Sequence, residues 1–317
     1  MQALYYDGKR LEFRDDYPVP EPGDGQALIR LHLAGICSTD LEIVKGYAAY
    51  RGVLGHEFVG VVEAAADGDW IGRRVVGGIN LGCGACAVCL SAGSEHCPKR
   101  TVLGIIDHDG AFADYLVLPV ENLHEVPDDL VDEMAVFTEP LAAAVRIREQ
   151  VKVRPTAKVA VVGPGRLGLL IGQVLALSGT SVTMLGRNER SLRLPARLGL
   201  ATSLVDDQPA DAFELVVEAT GNEAGLAHAL RLVRPLGTLV LKSTFAGRAN
   251  VDLTKLVVAE ITVVGSRCGP FAPALRLLRQ GSIEVRSLIE AEYPLREGRA
   301  AFEHAAQPRV RKVLLRP

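Results

Sequence analysis

Short apolar runs interleaved with polar residues fill the first part of the chain. Ala27-Leu-Ile-Arg-Leu-His-Leu, Glu57-Phe-Val-Gly-Val-Val-Glu and Phe112-Ala-Asp-Tyr-Leu-Val-Leu are broken from one another by glycine and proline, and several alternate in and out. That is the pattern of half-buried strands. From about residue 145 the texture changes. Lys158-Val-Ala-Val-Val is a continuous apolar run, 167–177 fits a helix closed by Ser178-Gly179, and Ser181-Val-Thr-Met-Leu is a further strand. Glu214-Leu-Val-Val-Glu-Ala-Thr, a helix over 223–233, Gly237-Thr-Leu-Val-Leu-Lys and Ile261-Thr-Val-Val-Gly continue the alternation. Strand and helix at this rhythm predict parallel strands joined by right-handed crossovers. Beyond about residue 268 the chain predicts a helix over 273–279 and a strand over 310–315. Pro195 interrupts the helical run 189–198. An interior proline costs a helix about 3 kcal/mol, so this helix either starts late, with Pro195 in its first turn, or kinks there.

The chain has 317 residues, a length that favours two domains over one. Its 48% hydrophobic and 23% charged residues supply two ordinary cores. Net charge is −3, from 35 basic and 38 acidic residues, so no basic field advertises nucleic acid. The apolar stretch 159–177 is long enough to suggest a membrane span, but Arg166, Gln173 and its glycines fit a buried strand, turn and helix better. No membrane association is expected. The opening residues have no apolar signal region, which points to the cytoplasm.

Four of the six cysteines, Cys83, Cys86, Cys89 and Cys97, fall within fifteen residues. Four thiolates at this spacing suit a closed tetrahedral zinc site, and the spacing argues against disulfides. A second group, Cys37 with His56-Glu57, mixes sulfur, nitrogen and oxygen. The contrast predicts one structural and one catalytic zinc.

Gly163-Pro-Gly165-Arg166-Leu167-Gly168 fits G-x-G-x-x-G, follows a predicted strand and opens a predicted helix. The first glycine permits the tight turn, the second lets pyrophosphate approach the backbone, and the third lets helix and strand pack closely. Free N–H groups at the helix start then face the phosphates. Gly186-Arg187 ends the next strand, and no carboxylate is there to grip a ribose 2′-hydroxyl. Arg187, with Arg190, suits a 2′-phosphate instead. The cofactor is therefore NADP or NAD, with these arginines favouring NADP.

Together these segments resemble the zinc-dependent alcohol dehydrogenase branch of the medium-chain dehydrogenase/reductase superfamily, nearest its polyol- and threonine-dehydrogenase-like members. The resemblance rests on Ala34-Gly-Ile-Cys37-Ser-Thr39-Asp40, Leu54-Gly-His56-Glu57, the four-cysteine segment, Thr138-Glu139-Pro140-Leu141 and the glycine loop, in family order. It implies an α/β chain with a chaperonin-10-like β-rich catalytic domain over 1–144, carrying the structural zinc lobe at 82–98. A doubly wound Rossmann domain over 145–267 follows, and 268–317 returns to the catalytic domain. It implies that Cys37 and His56 bind catalytic zinc, with Glu57 and Glu139 as oxygen ligands that alternate or share the role. Thr39 would bond the substrate oxygen and start a proton relay, and Asp40 would orient His56. Glu42 stands where the family often has a relay histidine; it replaces that step, a ribose hydroxyl hands the proton to water instead, or Glu42 is a surface acid. Thr220 would lie near the nicotinamide ribose, and Lys312, with Arg311 competing, would meet the pyrophosphate. The implied activity is hydride transfer between an alcohol, polyol or sugar-like hydroxyl and nicotinamide, in a homodimer or homotetramer. The alternative is a non-catalytic, zinc-stabilised dinucleotide-binding sensor or scaffold. Tyr47, Tyr50 and Arg51 are expected to border the substrate pocket, or to pack beneath a loop.

Overall fold

The computed structural model describes residues 1–46, 49–244 and 248–317. Tyr47 lies outside the described residues. The chain divides into two compact units, Met1–Glu139 with Phe271–Pro317, and Pro140–Pro270.

The first unit is built on a seven-stranded sheet. Its main path runs Leu123–Glu125, Arg74–Gly77, Glu57–Ala65, Gln26–Gly35, Lys312–Arg316 and Ile289–Pro294, and Tyr115–Pro119 pairs with Gln26–Gly35 off that path. The long strand Gln26–Gly35 alternates as its sequence predicts, with Ala27, Ile29, Leu31 and Leu33 buried. One register fixes the site described below: Gly35 sits opposite both Glu57 and Leu314. The strand predicted from Phe112 begins instead at Tyr115. Phe112 is held out of that ladder because its backbone N–H donates to the Leu54 carbonyl and its own carbonyl accepts from Leu4. Likewise the last strand starts at Lys312, since the Val310 N–H turns back onto Gln307.

The second unit is a six-stranded, all-parallel sheet. Numbered along this unit its strand order is 3-2-1-4-5-6: Ala201–Leu204, Ser181–Gly186, Lys158–Val162, Phe213–Glu218, Val233–Leu241, Thr262–Gly265. This is the doubly wound order expected, and the strand order reverses between Lys158–Val162 and Phe213–Glu218. Both strands are apolar over most of their length because both faces of a parallel sheet are covered.

Helix Glu189–Arg197 contains Pro195 and begins at Glu189, where the Asn188 side chain accepts from Ser191 N–H at 3.0 Å. The late start is thereby excluded. Pro195 falls in the last turn, so the missing N–H removes a single bond near a terminus. No helix of the described residues is long and apolar enough to cross a membrane.

Candidate metal centres and dinucleotide loop

The structure brings the four cysteines of 83–97 into one cluster, their sulfurs all within 4.8 Å of one another. Measured pairs are 4.0 Å for Cys83–Cys89, 3.9 Å for Cys86–Cys97 and 3.7 Å for Cys83–Cys97. A tetrahedron with zinc–sulfur bonds of about 2.3 Å has edges of about 3.8 Å. Disulfides need sulfurs about 2.05 Å apart, and all six cysteines are free thiols. The local backbone prepares the charge a metal needs. N–H groups of Ala85 and Cys86 donate to Cys83 and bring its thiol down to about 6, and the Cys83 N–H lowers Cys97 as well. Burial, then the neighbouring thiols, push Cys89 up to about 12. A bound dication reverses that second shift, since a coordinating thiol is deprotonated outright. Cys86 caps the short helix Ala87–Ala92 by accepting from Cys89 N–H, which turns both sulfurs to one point.

Cys37, His56 and Glu57 form the second cluster, again with donor atoms within 4.8 Å. The sheet register explains it. Glu57 opens its strand opposite Gly35, His56 precedes Glu57, and Cys37 follows Gly35 by two residues as the cap of helix Ser38–Val44. Asp40, fully buried in the first turn, accepts from Cys37 N–H at 2.8 Å. Its other oxygen faces His56 Nδ1 at 3.2 Å, which leaves Nε2 as the ring's other donor. Burial alone would depress the imidazole pKa. The charges of Asp40 and then Cys37 outweigh it and hold His56 well above its ordinary value. The pocket thus draws a cation, whether a proton or a metal. Glu57 is 1% exposed, and its Oε1 has no hydrogen-bond partner among the described residues. A buried carboxylate oxygen with no donor is costly unless a cation completes it. The donor set and the orphan oxygen therefore fit zinc. Thr39 Oγ1 lies 3.8 Å from Cys37 Sγ.

Not every expected residue joins this cluster. Glu139, second in helix Thr138–Gln150, is outside the 4.8 Å group. Glu42 accepts from Lys45 Nζ at 2.9 Å, an ordinary surface pair. Tyr50 is buried, donating to the Val53 and His108 carbonyls at 2.8 and 2.9 Å, so it packs beneath a loop. Exposed Arg51 donates to the Asp7 carbonyl. Lys312, expected at the pyrophosphate, has a side chain 4% exposed whose Nζ donates to Glu57 Oε2. Arg311 lies beside Glu290 at 3.3 Å.

In the second unit the three glycines differ as predicted. Gly163 has φ +105° and its Cβ would meet the Ala219 carbonyl oxygen at 2.7 Å. A Cβ on Gly168 would lie 1.9 Å from the Gly163 oxygen, whereas one on Gly165 would meet nothing within 4 Å. Helix Arg166–Ala176 starts from Gly165 with no side-chain cap, while the helices after Asn188 and Asn222 are capped by those asparagines. No side chain caps its first turn, the arrangement in which the start of a helix meets an anion. Arg166 and Leu167 open its first turn, both half-buried. Arg187 and Arg190 are exposed just past the Ser181–Gly186 strand, and Gly186 is buried against Ser191 and Leu192. Sequence reasoning missed Glu218. This carboxylate is 2% exposed and accepts from Thr220 N–H at 2.6 Å and Thr220 Oγ1 at 2.5 Å. It pins the turn after the fourth strand, beside the glycine loop. The signal was a carboxylate closing the apolar run Leu215-Val-Val-Glu218.

Comparison with known proteins agrees with both halves. Residues 23–128 match the alcohol dehydrogenase GroES-like domain and residues 167–280 the zinc-binding dehydrogenase family. Sorbitol dehydrogenase of Halalkalibacterium halodurans is 30% identical over 323 residues, spanning 95% of this chain and 94% of that protein. Among solved structures, a zinc-binding dehydrogenase of Sinorhizobium meliloti 1021 bound to NADP superposes with TM-score 0.91 at 27% identity, covering 100% and 99% of the two chains. An alcohol dehydrogenase of Escherichia coli CFT073 complexed with NADH gives 0.90 at 26%, again over 100% and 99%.

Proposed function

The chain belongs to the zinc-dependent alcohol dehydrogenase branch of the medium-chain dehydrogenase/reductase superfamily and is an NAD(P)-dependent oxidoreductase; from that premise we propose how its own residues divide the work. The Met1–Glu139 and Phe271–Pro317 unit carries the metal chemistry, and Pro140–Pro270 the dinucleotide. Each chain would hold two zinc ions, one on Cys83, Cys86, Cys89 and Cys97 and one on Cys37, His56 and Glu57, the two groups whose donor atoms converge. The observation that carries the second assignment is the orphan Oε1 of Glu57, buried beside a thiol and an imidazole.

When bound at this cluster, zinc supplies Lewis acidity that brings an alcohol's pKa toward neutrality, and nicotinamide supplies the hydride acceptor. Asp40 holds the His56 ring so that Nε2 is the donor presented. Thr39 Oγ1 would accept the substrate hydroxyl proton as its own hydroxyl proton passes to water. Glu57 is the resting oxygen ligand, and Glu139, outside the cluster, is held in reserve. Glu218 fixes Thr220 at the nucleotide end of the parallel sheet. The absence of a carboxylate after Gly186 and the exposed Arg187 and Arg190 support NADP over NAD, though relatives of this chain bind each. The substrate class is a secondary alcohol or polyol, the class to which sorbitol belongs. We also infer a cytoplasmic homo-oligomer: Thr262–Gly265, the edge strand of its sheet, carries exposed Val263, and the helix before it in the chain, Leu253–Val258, exposes Leu253, Val257 and Val258.

Metal analysis with Cys37→Ala tests the proposal. Wild type should carry two zincs per chain and oxidise members of a polyol and secondary-alcohol panel. The variant should keep one zinc and its dinucleotide affinity but lose turnover. Retained turnover would sink the assignment.

A further inference from the structure

Lys312 is the first residue of Lys312–Arg316, an interior strand of the seven-stranded sheet. Its side chain reaches inward, 4% exposed, and Nζ donates to Glu57 Oε2. The Ile36 carbonyl lies 3.5 Å from Nζ and the Phe137 ring centroid 5.6 Å. Glu57 itself is 1% exposed. Gly35 sits against the pair: a Cβ there would fall 2.5 Å from Glu57 Oε2 and 3.2 Å from Lys312 Cδ. The fold thus keeps a bare backbone position at the point where the ammonium meets the carboxylate. One oxygen of Glu57 is occupied by a buried cation, and the other has no partner among the described residues.

We infer that Lys312 is a positioning residue that restrains Glu57 to one-oxygen, weakened coordination of the zinc. The inference rests on the reading of Cys37, His56 and Glu57 as the zinc ligands. The physical reason is a competition for one negative charge. An ammonium hydrogen-bonded to Oε2 draws carboxylate charge away from Oε1 and repels a dication across a short, dry distance, where charges interact strongly. Remove that ammonium and Glu57 delivers its full charge to the metal and is free to turn both oxygens toward it. Zinc then binds more tightly, and the position a substrate needs is filled. A lysine whose only work is to brace the sheet predicts the opposite: its loss loosens the site and weakens the metal. A lysine that contacts pyrophosphate predicts a third outcome, weaker dinucleotide binding with an unchanged metal.

Lys312→Met, and Lys312→Gln as a second, milder variant, separate these. Each is studied as full-length holoenzyme and with Co(II) at the catalytic site. Three quantities are read: the rate of zinc transfer to a chromophoric chelator, the Co(II) visible spectrum, and the Kd for NADP. We expect the catalytic zinc to leave at least about tenfold more slowly, the size at which residues behind metal ligands act. The Co(II) bands should change, kcat should fall, and the NADP Kd should stay close to wild type, since Nζ is buried and paired with Glu57. Faster zinc loss in both variants overturns the inference in favour of a brace. A tenfold rise in NADP Kd with unchanged zinc release and Co(II) spectrum overturns it in favour of a nucleotide contact. Glu57→Gln in the same assay judges the underlying reading separately: if it leaves zinc release unchanged, Glu57 is not a ligand, and that reading fails whatever Lys312 does.

Discussion

Replacing Gly168 with alanine sets two physical effects against each other. Gly168 lies in the first turn of helix Arg166–Ala176, where alanine is intrinsically the better helix former by up to about 1 kcal/mol. Helix propensity alone therefore predicts a more stable protein. The structure predicts a less stable one. A Cβ at this position would sit 1.9 Å from the Gly163 carbonyl oxygen, against a floor of 3.0 Å for real contacts, a deficit of 1.1 Å (3.0 − 1.9). The obstructing atom is backbone in a loop already committed to φ +105°, so no side chain can swing aside. Helix and strand must part by roughly that distance. Overpacking costs typically about 1–3 kcal/mol; a backbone obstacle with no room to give puts this site near the upper end, leaving a net loss of about 2 kcal/mol once propensity is credited. At about 2–4 °C per kcal/mol the melting temperature should fall by roughly 5 °C. The same displacement moves the anion-facing N–H groups, and a misplacement near 1 Å costs about a hundredfold in positioned chemistry. Differential scanning calorimetry and NADP titration of the apo-dinucleotide form read both effects. Gly165→Ala is the internal control, because its Cβ meets no atom within 4 Å: its melting temperature should hold while its NADP affinity falls. A Gly168→Ala protein that melts at or above wild type and binds NADP normally would refute the steric argument.

Two further predictions concern the metal sites. Cys97→Ser should reduce zinc from two to one per chain and lower the melting temperature while leaving the catalytic zinc in place, as read by metal analysis of the dialysed protein; Cys97 is fully buried among the other three sulfurs. Loading of the Cys37–His56–Glu57 site should depend on pH with a fixed sign. Folded His56 lies above the ordinary histidine value, so the metal-free protein carries a proton there whose stabilisation is complete below about pH 6.5 and lost as pH rises through the raised value. Zinc must displace that proton, so its affinity in chelator competition should climb with pH across this range, and a flat profile would contradict the geometry.

Much of this was legible in the primary structure because it depends on local spacing. Cys83, Cys86 and Cys89 stand three residues apart in the chain, and the glycine loop announces its strand and helix on either side. Strand periods of two and the continuous Val159–Val162 run revealed which lobe has one covered face and which has two. What stayed hidden depends on register between distant segments. Nothing near Lys312 in the chain says that Gly35 will lie between its strand and Glu57; a basic residue at a strand start reads equally well as a phosphate ligand. Glu218 was hidden because its partners, the N–H and hydroxyl of Thr220, are satisfied by a turn rather than by a pattern. Pro195 shows the limit of a breaker rule: two residues before the end of its helix the proline removes little, and the Asn188 cap decided where the helix began.

The Glu57–Lys312 pair joins residues separated by 255 positions, with the whole Pro140–Pro270 unit spliced between them in the chain. During translation the earlier strands must therefore wait, their sheet missing an interior member, until a complete second globule has emerged. Metal delivered before that moment meets Cys37, His56 and a carboxylate not yet tethered. A shortened product lacking the final strand would, by the role inferred for Lys312, hold the ion more tightly and leave substrate no place to bind, so the order of synthesis bears on when the metal can be loaded productively.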